Sequence, residues 1–225
     1  MSKSIEEKLT NGRQYRSFGI TAENLETREL GEGSEMIVEG YATVFNTPYV
    51  LWDDGDYIVR EMVDARAFEN CDMSDVIMQY NHEGRVFARI SNGTLEVFPD
   101  EIGLKCRARL DGTEIGRQLY EEIKGGYTTK MSFGFVVESD ERETIETSEN
   151  GNDTVSILRT ITGIKKLYDI SAVSIPANDA TEISARSFCE GVIAGVKEEL
   201  HEAEEAERRR KDNINRIKIL AEVNR

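Results

Sequence analysis

The 225-residue sequence contains few of the residues that mark disulfide-rich, metal-binding or membrane-spanning proteins. It has three cysteines, two histidines, three prolines and one tryptophan. The cysteines are widely spaced and odd in number, which argues against a disulfide framework and indicates a reducing compartment. No apolar run approaches the roughly 18–20 residues of a membrane-spanning helix, and the polar N-terminus is not a secretory signal peptide. We therefore expect a soluble globular protein with no membrane partner.

Motifs that bind metals or nucleotides are also missing. There is no H-E-x-x-H and no C-x-x-C, and Cys71, His82 and Cys106 lack the paired spacing of metal ligands. Neither G-x-x-x-x-G-K-[ST] nor G-x-G-x-x-G occurs, so no nucleotide site is predicted. We expect neither a cofactor nor a metal.

Positive charge is scarce. The chain has 28 lysines and arginines against 43 acidic residues, a net charge of −15. Such a protein repels the phosphate backbone, so we expect no nucleic-acid partner. The one dense basic run, residues 208–211, directly follows an acidic run at 198–207, a pattern typical of a solvated, ion-paired helix.

Three regions are predicted along the chain. Residues 1–14 lack apolar periodicity and predict a mobile arm. Residues 15–186 form the main domain, and residues 187–225 a charged helical tail. Apolar residues recur at helical spacing in the tail, so its apolar stripe needs a partner.

The main domain is predicted to be α+β, an antiparallel sheet or barrel-like core with a few surrounding helices. Asn92-Gly93 predicts a hairpin, residues 52–56 a loop, and residues 139–153 an exposed loop or hairpin tip. Helices are predicted at 63–68, with Asp64 as the N-cap, and at 113–124, capped by Asp111 or Thr113. The predicted strands cover residues 15–20, 36–45, 76–80, 87–90, 94–98, 104–110, 130–138, 154–166 and 167–175.

Three residues carry the candidate chemistry: Ser132, His82 and Asp169. Ser132 lies in the aromatic segment Lys130-Met131-Ser132-Phe133-Gly134-Phe135, and His82 is the only histidine outside the tail. Serine, histidine and acid are the groups needed for acyl transfer. Each also has a structural interpretation: a strand serine, a turn or core histidine, and an aspartate that alternation points to solvent. Lys130 stands where the G-x-S-x-G elbow requires glycine, which excludes the common α/β-hydrolase arrangement.

Six motifs in order resemble the prohead, or capsid maturation, proteases of tailed bacteriophages. The resemblance covers residues 15–186. Its motifs are Gly40-Tyr41-Ala42-Thr43-Val44-Phe45-Asn46, Ala67-Phe68, Tyr80-Asn81-His82-Glu83, Asp100-Glu101-Ile102-Gly103-Leu104, Met131-Ser132-Phe133-Gly134-Phe135, and the run from Asp169 to Asn178.

The resemblance implies a serine endopeptidase, distantly similar in fold to the β-barrel assembly proteases of herpesviruses. It assigns His82 and Ser132 as the catalytic pair and Asp169 as the third member, a position that is commonly glutamate in the family. Capsid and scaffold segments, and the protease itself, are the expected substrates, inside an immature capsid in the host cytoplasm. The tail is then expected to mediate scaffold association or self-association, or to be a removable propeptide. The alternative is a catalytically inactive capsid assembly or scaffolding protein.

Overall fold

A computed structural model of the chain describes residues 13–18, 25–29, 36–149, 152–173 and 179–223. The chain divides into two compact units, residues 1–185 and 186–225. The predicted arm lies outside the described residues except for its last two positions. The last of these, Gln14, begins the first strand.

The first unit is a mixed α+β structure made mostly of strands. Between residues 36 and 149, all of which are described, the α-helix is α1 (Glu114–Lys124), and a 3₁₀ turn covers Ile90–Asn92. The strands within the described residues are β1 (Gln14–Phe18), β2 (Leu25–Glu29), β3 (Met36–Val44), β4 (Tyr49–Asp53), β5 (Tyr57–Val63), β6 (Ile77–Tyr80), β7 (Glu83–Arg89), β8 (Leu95–Pro99), β9 (Gly103–Arg109), β10 (Lys130–Glu149) and β11 (Asn152–Val173).

These strands form two sheets. The larger has the order β1-β10-β11-β5-β4, with β6 also paired to β11 and β7 paired to β6; the smaller has the order β2-β3-β9-β8. Neither sheet closes on itself within the described residues, so the barrel-like core stays a prediction. The larger sheet is not purely antiparallel, because β11 pairs in parallel with both β5 and β6. Parallel pairing is possible here because long connections separate these strands in the chain.

β10 and β11 form one long antiparallel hairpin that crosses the larger sheet. Pairing runs from Lys130 opposite Val173 to Glu149 opposite Asn152. The predicted exposed tip at 139–153 is therefore strand for most of its length, and the two strands predicted after it are one. The error has a physical reason: residues 139–146 are exposed, so backbone pairing and β-forming residues keep them extended without an apolar pattern.

The core lies between the two sheets' buried faces and α1. Its largest fully buried side chains include Met131, Phe133 and Phe135 of β10. The predicted helix at 113–124 is confirmed, since Thr113 is the N-cap and its hydroxyl accepts a hydrogen bond from the Gly116 N–H. Leu119, Tyr120 and Ile123 are buried on its inner side.

Three local predictions are wrong. Residues 63–68 are not a helix: Val63 ends β5, and Asp64 Oδ1 accepts from the Arg66 N–H at 2.8 Å in a turn. The predicted loop at 52–56 is partly strand, because β4 continues to Asp53. Asn92-Gly93 does not join paired strands, because β7 pairs with β6 and β8 with β9. Gly93 does adopt the positive φ, 72°, that such a sequence favours.

The helix α2 (Asp179–Val223) covers the described residues of the second unit and starts seven residues before that unit begins. It begins before residue 187, where the tail was expected to start. The predicted ion pairing is present, since Glu205 contacts Arg209 at 2.8 Å and Glu207 contacts Lys211 at 2.7 Å, both four residues apart. No helix in the described residues is both long and apolar enough to cross a membrane.

Candidate active site

Ser132 lies on β10 near the start of the long hairpin. Its side chain is completely buried, and its backbone is paired with Ser17 of β1 on one side and Ser171 of β11 on the other. The Ser132 Oγ is 2.6 Å from His82 Nε2 and 2.8 Å from the carbonyl oxygen of Arg16. A hydroxyl has one hydrogen, so it donates to only one of these acceptors at a time.

His82 is held in a two-residue turn between β6 and β7. Tyr80 pairs with Glu83 across this turn, and the two residues between them, Asn81 and His82, have φ values of 51° and 60°. Positive φ at both central residues is the type I′ geometry that fits the twist of a hairpin. The Asn81 N–H also donates to the Ala172 carbonyl at 3.0 Å, which ties the turn to β11.

Asp169 lies on β11 and completes a chain of hydrogen bonds. Its Oδ2 is 2.5 Å from His82 Nδ1 and accepts from the Ser171 hydroxyl at 3.0 Å. The Asp169 side chain is 1% exposed, which excludes the interpretation that alternation points it to solvent. A buried carboxylate needs a partner, and His82 and Ser171 supply two. The aspartate side chain is long enough to reach the imidazole.

Gly134 makes room for this carboxylate. It pairs with Asp169 across the β10–β11 ladder. A Cβ at position 134 would lie 2.3 Å from Asp169 Oδ1 and 2.8 Å from Tyr15 Cε1. No side chain fits there, which explains the glycine in the Ser132-Phe133-Gly134-Phe135 segment.

The three side chains named from the sequence therefore meet in one hydrogen-bonded series. Ser132 Oγ contacts one imidazole nitrogen and Asp169 the other, which is the relative placement of nucleophile, base and orienting acid in serine hydrolases. Cysteines are poor alternatives as nucleophiles. Burial raises the pKa of Cys71 to about 11 and that of Cys106 to about 12, so both thiols stay protonated near neutral pH.

A buried charge cluster beside this site was missed by the sequence reasoning. Glu61 is completely buried, and it bonds Arg16 at 2.5 and 3.0 Å and Arg159 at 2.8 Å. Burial alone would raise the pKa of Glu61, but the two guanidinium groups, Arg16 first, hold it below its ordinary value. The available signal was a pair of charged residues, Arg60 and Glu61, inside the otherwise apolar run 57–63.

A cavity of about 480 Å³ opens between the His82 turn and α1. Its lining is mixed, with Asn81 and Glu83 from the turn and Leu119 from the helix. Among the described residues, no group of three or more histidine, cysteine or acidic side chains is arranged to hold a metal ion.

Comparison with known proteins gives three similarities. Residues 23–192 match the family model described as caudovirus prohead serine protease. The chain is 28% identical over 177 residues to the prohead protease of Enterobacteria phage HK97. The matched region covers 77% of this chain and 70% of that protein. The solved structure of the bacteriophage T4 capsid assembly protease has a TM-score of 0.41 and 14% identity, covering 73% of this chain and 99% of that one.

Proposed function

Because the chain belongs to the family of caudovirus prohead serine proteases, we propose that Ser132, His82 and Asp169 are its catalytic nucleophile, general base and orienting acid. The observation that carries the proposal is the continuous series from Ser132 Oγ to His82, at 2.6 Å, and from His82 to Asp169, at 2.5 Å. All three residues lie within the region that matches the family model.

In the proposed reaction, Ser132 Oγ attacks the carbonyl carbon of a peptide bond while His82 Nε2 takes the hydroxyl proton. The tetrahedral intermediate collapses with cleavage of the C–N bond, and His82 returns the proton to the leaving amine. Water then attacks the acyl-serine ester by the same route, which releases the carboxylate product and restores the Ser132 hydroxyl.

Asp169 has two roles in this scheme. It holds the Nδ1–H of His82, so that Nε2 faces Ser132 as an acceptor, and it stabilises the imidazolium that forms after proton transfer. Ser171 positions the carboxylate through its hydrogen bond to Oδ2. A carboxylate oxygen held by two hydrogen bonds loses little orientational freedom during the reaction.

The proposed substrates are capsid and scaffold proteins, together with the protease itself, cleaved inside an immature capsid in the host cytoplasm. The tail at 187–225 is proposed to serve scaffold association, self-association or as a removable propeptide. A net charge of −15 disfavours competition for packaged nucleic acid.

The test is co-expression with the phage's major capsid protein, followed by intact-mass measurement of both proteins. Ser132→Ala is expected to fold with unchanged circular dichroism and to lower capsid-protein cleavage by roughly 10⁴-fold or more, because no other group supplies the nucleophile. Ser139→Ala, an exposed serine on the same strand, is the matched control and should cleave normally. Unchanged trimming by Ser132→Ala would refute the proposal and favour an assembly protein without enzymatic activity.

A further inference from the structure

The segment that includes β1 contacts all three members of the proposed triad. The carbonyl oxygen of Arg16 lies 2.8 Å from Ser132 Oγ. The Tyr15 ring lies 4.4 Å from the His82 ring, centre to centre, and Arg13 Nη1 lies 3.9 Å from Asp169 Oδ1. Since Ser132 is completely buried, a peptide bond reaches it only after this segment moves.

β1 lies against Ser132 as an extended peptide would. It is antiparallel to β10, with Arg16 opposite Phe133 and Ser17 opposite Ser132. Adding an extended strand to a sheet edge is a common mode of peptide recognition, in which backbone hydrogen bonds supply affinity and pockets for side chains supply specificity. β1 also precedes residues 23–192, the region that matches the family model.

The side chain of Arg16 enters a pocket made for a cation. Its Nε and Nη2 bond the two oxygens of Glu61 at 2.5 and 3.0 Å, the two-point geometry in which guanidinium binds carboxylate most strongly. Tyr49 donates its hydroxyl to the same carboxylate. The pocket is enclosed, because Glu61 is completely buried and Arg16 is 2% exposed.

Glu61 has its full set of charged partners only when a basic side chain fills this pocket. Arg159 is shared between Glu61 and Asp140, so one guanidinium faces two carboxylates. Without Arg16, the buried Glu61 keeps only Arg159 as a charged partner, and Arg159 also pairs with Asp140, whose side chain is 40% exposed. Removing one partner from a buried ion-pair cluster is unfavourable. A neutral or acidic side chain in the place of Arg16 does not supply the two-point contact that Arg16 makes with Glu61.

We propose that β1 occupies the binding site of the substrate strand, and that Glu61 selects arginine or lysine at the substrate residue whose carbonyl Ser132 attacks. Extended peptides bind against β10 once β1 is displaced, with their basic side chain on Glu61. This inference rests on the proposed function, because it uses Ser132 as the nucleophile. β1 then acts as an internal competitor that keeps the resting site closed.

The test uses two matched, internally quenched peptides. One has the sequence of residues 13–18, Arg-Gln-Tyr-Arg-Ser-Phe, and the other has glutamine in place of its second arginine. The enzymes are the full chain and its Arg16→Gln variant, which removes the side chain that fills the pocket. Arg16→Gln is expected to cleave the arginine peptide about ten-fold faster than the unsubstituted chain cleaves it. The same variant should cleave the arginine peptide about ten-fold faster than the glutamine peptide. Equal cleavage of both peptides by Arg16→Gln overturns the inference.

The double variant Arg16→Gln/Glu61→Gln separates specificity from stability. If Glu61 selects the basic residue, the rate ratio between the two peptides falls from about ten to about one. If Glu61 only supports the fold, both rates fall together and the ratio is unchanged, which also overturns the inference. If the double variant fails to fold, the two unlabelled peptides are tested as inhibitors of Arg16→Gln. Inhibition that is about ten-fold stronger with the arginine peptide supports selection by Glu61, and equal inhibition by the two peptides overturns it.

A binding measurement distinguishes failure of the inference from failure of the proposed function. Fluorescein-labelled versions of both peptides are titrated with the Ser132→Ala/Arg16→Gln variant, and binding is followed by fluorescence anisotropy. Tighter binding of the arginine peptide, without cleavage of either peptide by Arg16→Gln, supports the pocket and refutes the protease chemistry of Ser132. If Arg16→Gln cleaves both peptides and the Ser132→Ala/Arg16→Gln variant binds both with equal affinity, the result supports Ser132 as the nucleophile and refutes selection of a basic residue by Glu61.

Discussion

At position 134 a hydrogen atom takes the place of a side chain, and the Asp169 carboxylate uses the space. The clash that a Cβ would cause, at 2.3 Å from Asp169 Oδ1, is far below van der Waals contact. Asp169 cannot simply retreat, because its Oδ2 is bonded to both His82 and Ser171. A change at a residue with no reactive group therefore alters the geometry of the acid.

Gly134→Ala is expected to destabilise the fold by about 1–3 kcal/mol, as overpacking of a close-packed interior does. It should also lower peptide cleavage by at least about ten-fold, since the displaced carboxylate no longer orients His82. Denaturant unfolding and the cleavage rate measure the two effects. Gly112→Ala is the control, because a Cβ there meets no atom within 4 Å. Equal activity of the two variants would contradict the role assigned to Gly134.

The sequence allows the proposed catalytic residues to be named but not the residues that position them. Ser132, His82 and Asp169 are recognisable because a serine, a histidine and an acid in apolar or turn segments are unusual, and because their surrounding motifs resemble a family. Ser171 and Glu61 could not be assigned in this way. Their contacts depend on which strands are neighbours and in which register, and a shift of one residue would turn each side chain to the opposite face.

At the scale of an element, the β6–β7 turn determines where the imidazole points. Asn81 and His82 both adopt positive φ, which costs an L-residue energy unless its side chain tolerates the left-handed region, as asparagine does. The imidazole of His82, the proposed general base, is thus held by backbone geometry on one side and by Ser132 and Asp169 on the other.

A matched pair of variants tests the turn. Asn81→Ala and Asn81→Gly both remove the asparagine side chain, so any difference between them reports backbone conformation. We expect the alanine variant to be less stable by about 1 kcal/mol, because alanine disfavours positive φ and glycine does not. Urea unfolding of the two proteins measures the difference. Equal stability would show that the turn relaxes to another conformation.

The two Asn-containing turns show which structural features a local sequence pattern can predict. Asn92-Gly93 has the strongest hairpin signal in the sequence, yet it connects β7 and β8, which belong to different sheets. Asn81-His82 lacks glycine and still makes the tight hairpin. The local conformation follows from residue type, whereas strand pairing follows from the packing of distant segments. The helix α1, which depends on local spacing and a cap, was predictable for the same reason.

At the scale of the whole first unit, the Arg16–Glu61–Arg159 cluster links three strands of the larger sheet. Arg16 comes from β1, Glu61 from β5 and Arg159 from β11. The pKa of Glu61 is held below its ordinary value of 4.5, despite burial, by the two guanidinium groups. The ionised carboxylate therefore stabilises the folded chain at pH values above the unfolded-state pKa, and this stabilisation is lost as pH falls through the folded-state pKa.

Acid unfolding should report this cluster. Between about pH 5 and pH 3 the free energy of unfolding of the wild-type chain is expected to fall more steeply than that of Glu61→Gln, which has no proton to bind at this position. Urea unfolding followed by circular dichroism at several pH values gives both slopes. Glu69→Gln, at an exposed acid, should keep the wild-type slope. Parallel slopes for wild type and Glu61→Gln would exclude Glu61 as a source of acid sensitivity.

The pairing of β11 also determines when the larger sheet can form during synthesis of the chain. β11 is the last strand of the described residues, and it separates β10 from both β5 and β6 in the larger sheet. The ribosome extends a chain at about 5–20 residues per second. A nascent chain that ends within β10 therefore exists for a time with Ser132 and His82 but without Asp169 and the rest of β11. Such a chain cannot assemble the sheet, and it has no means to cut the ribosome-bound proteins around it. The proposed catalytic series is therefore completed only after β11 has been synthesised.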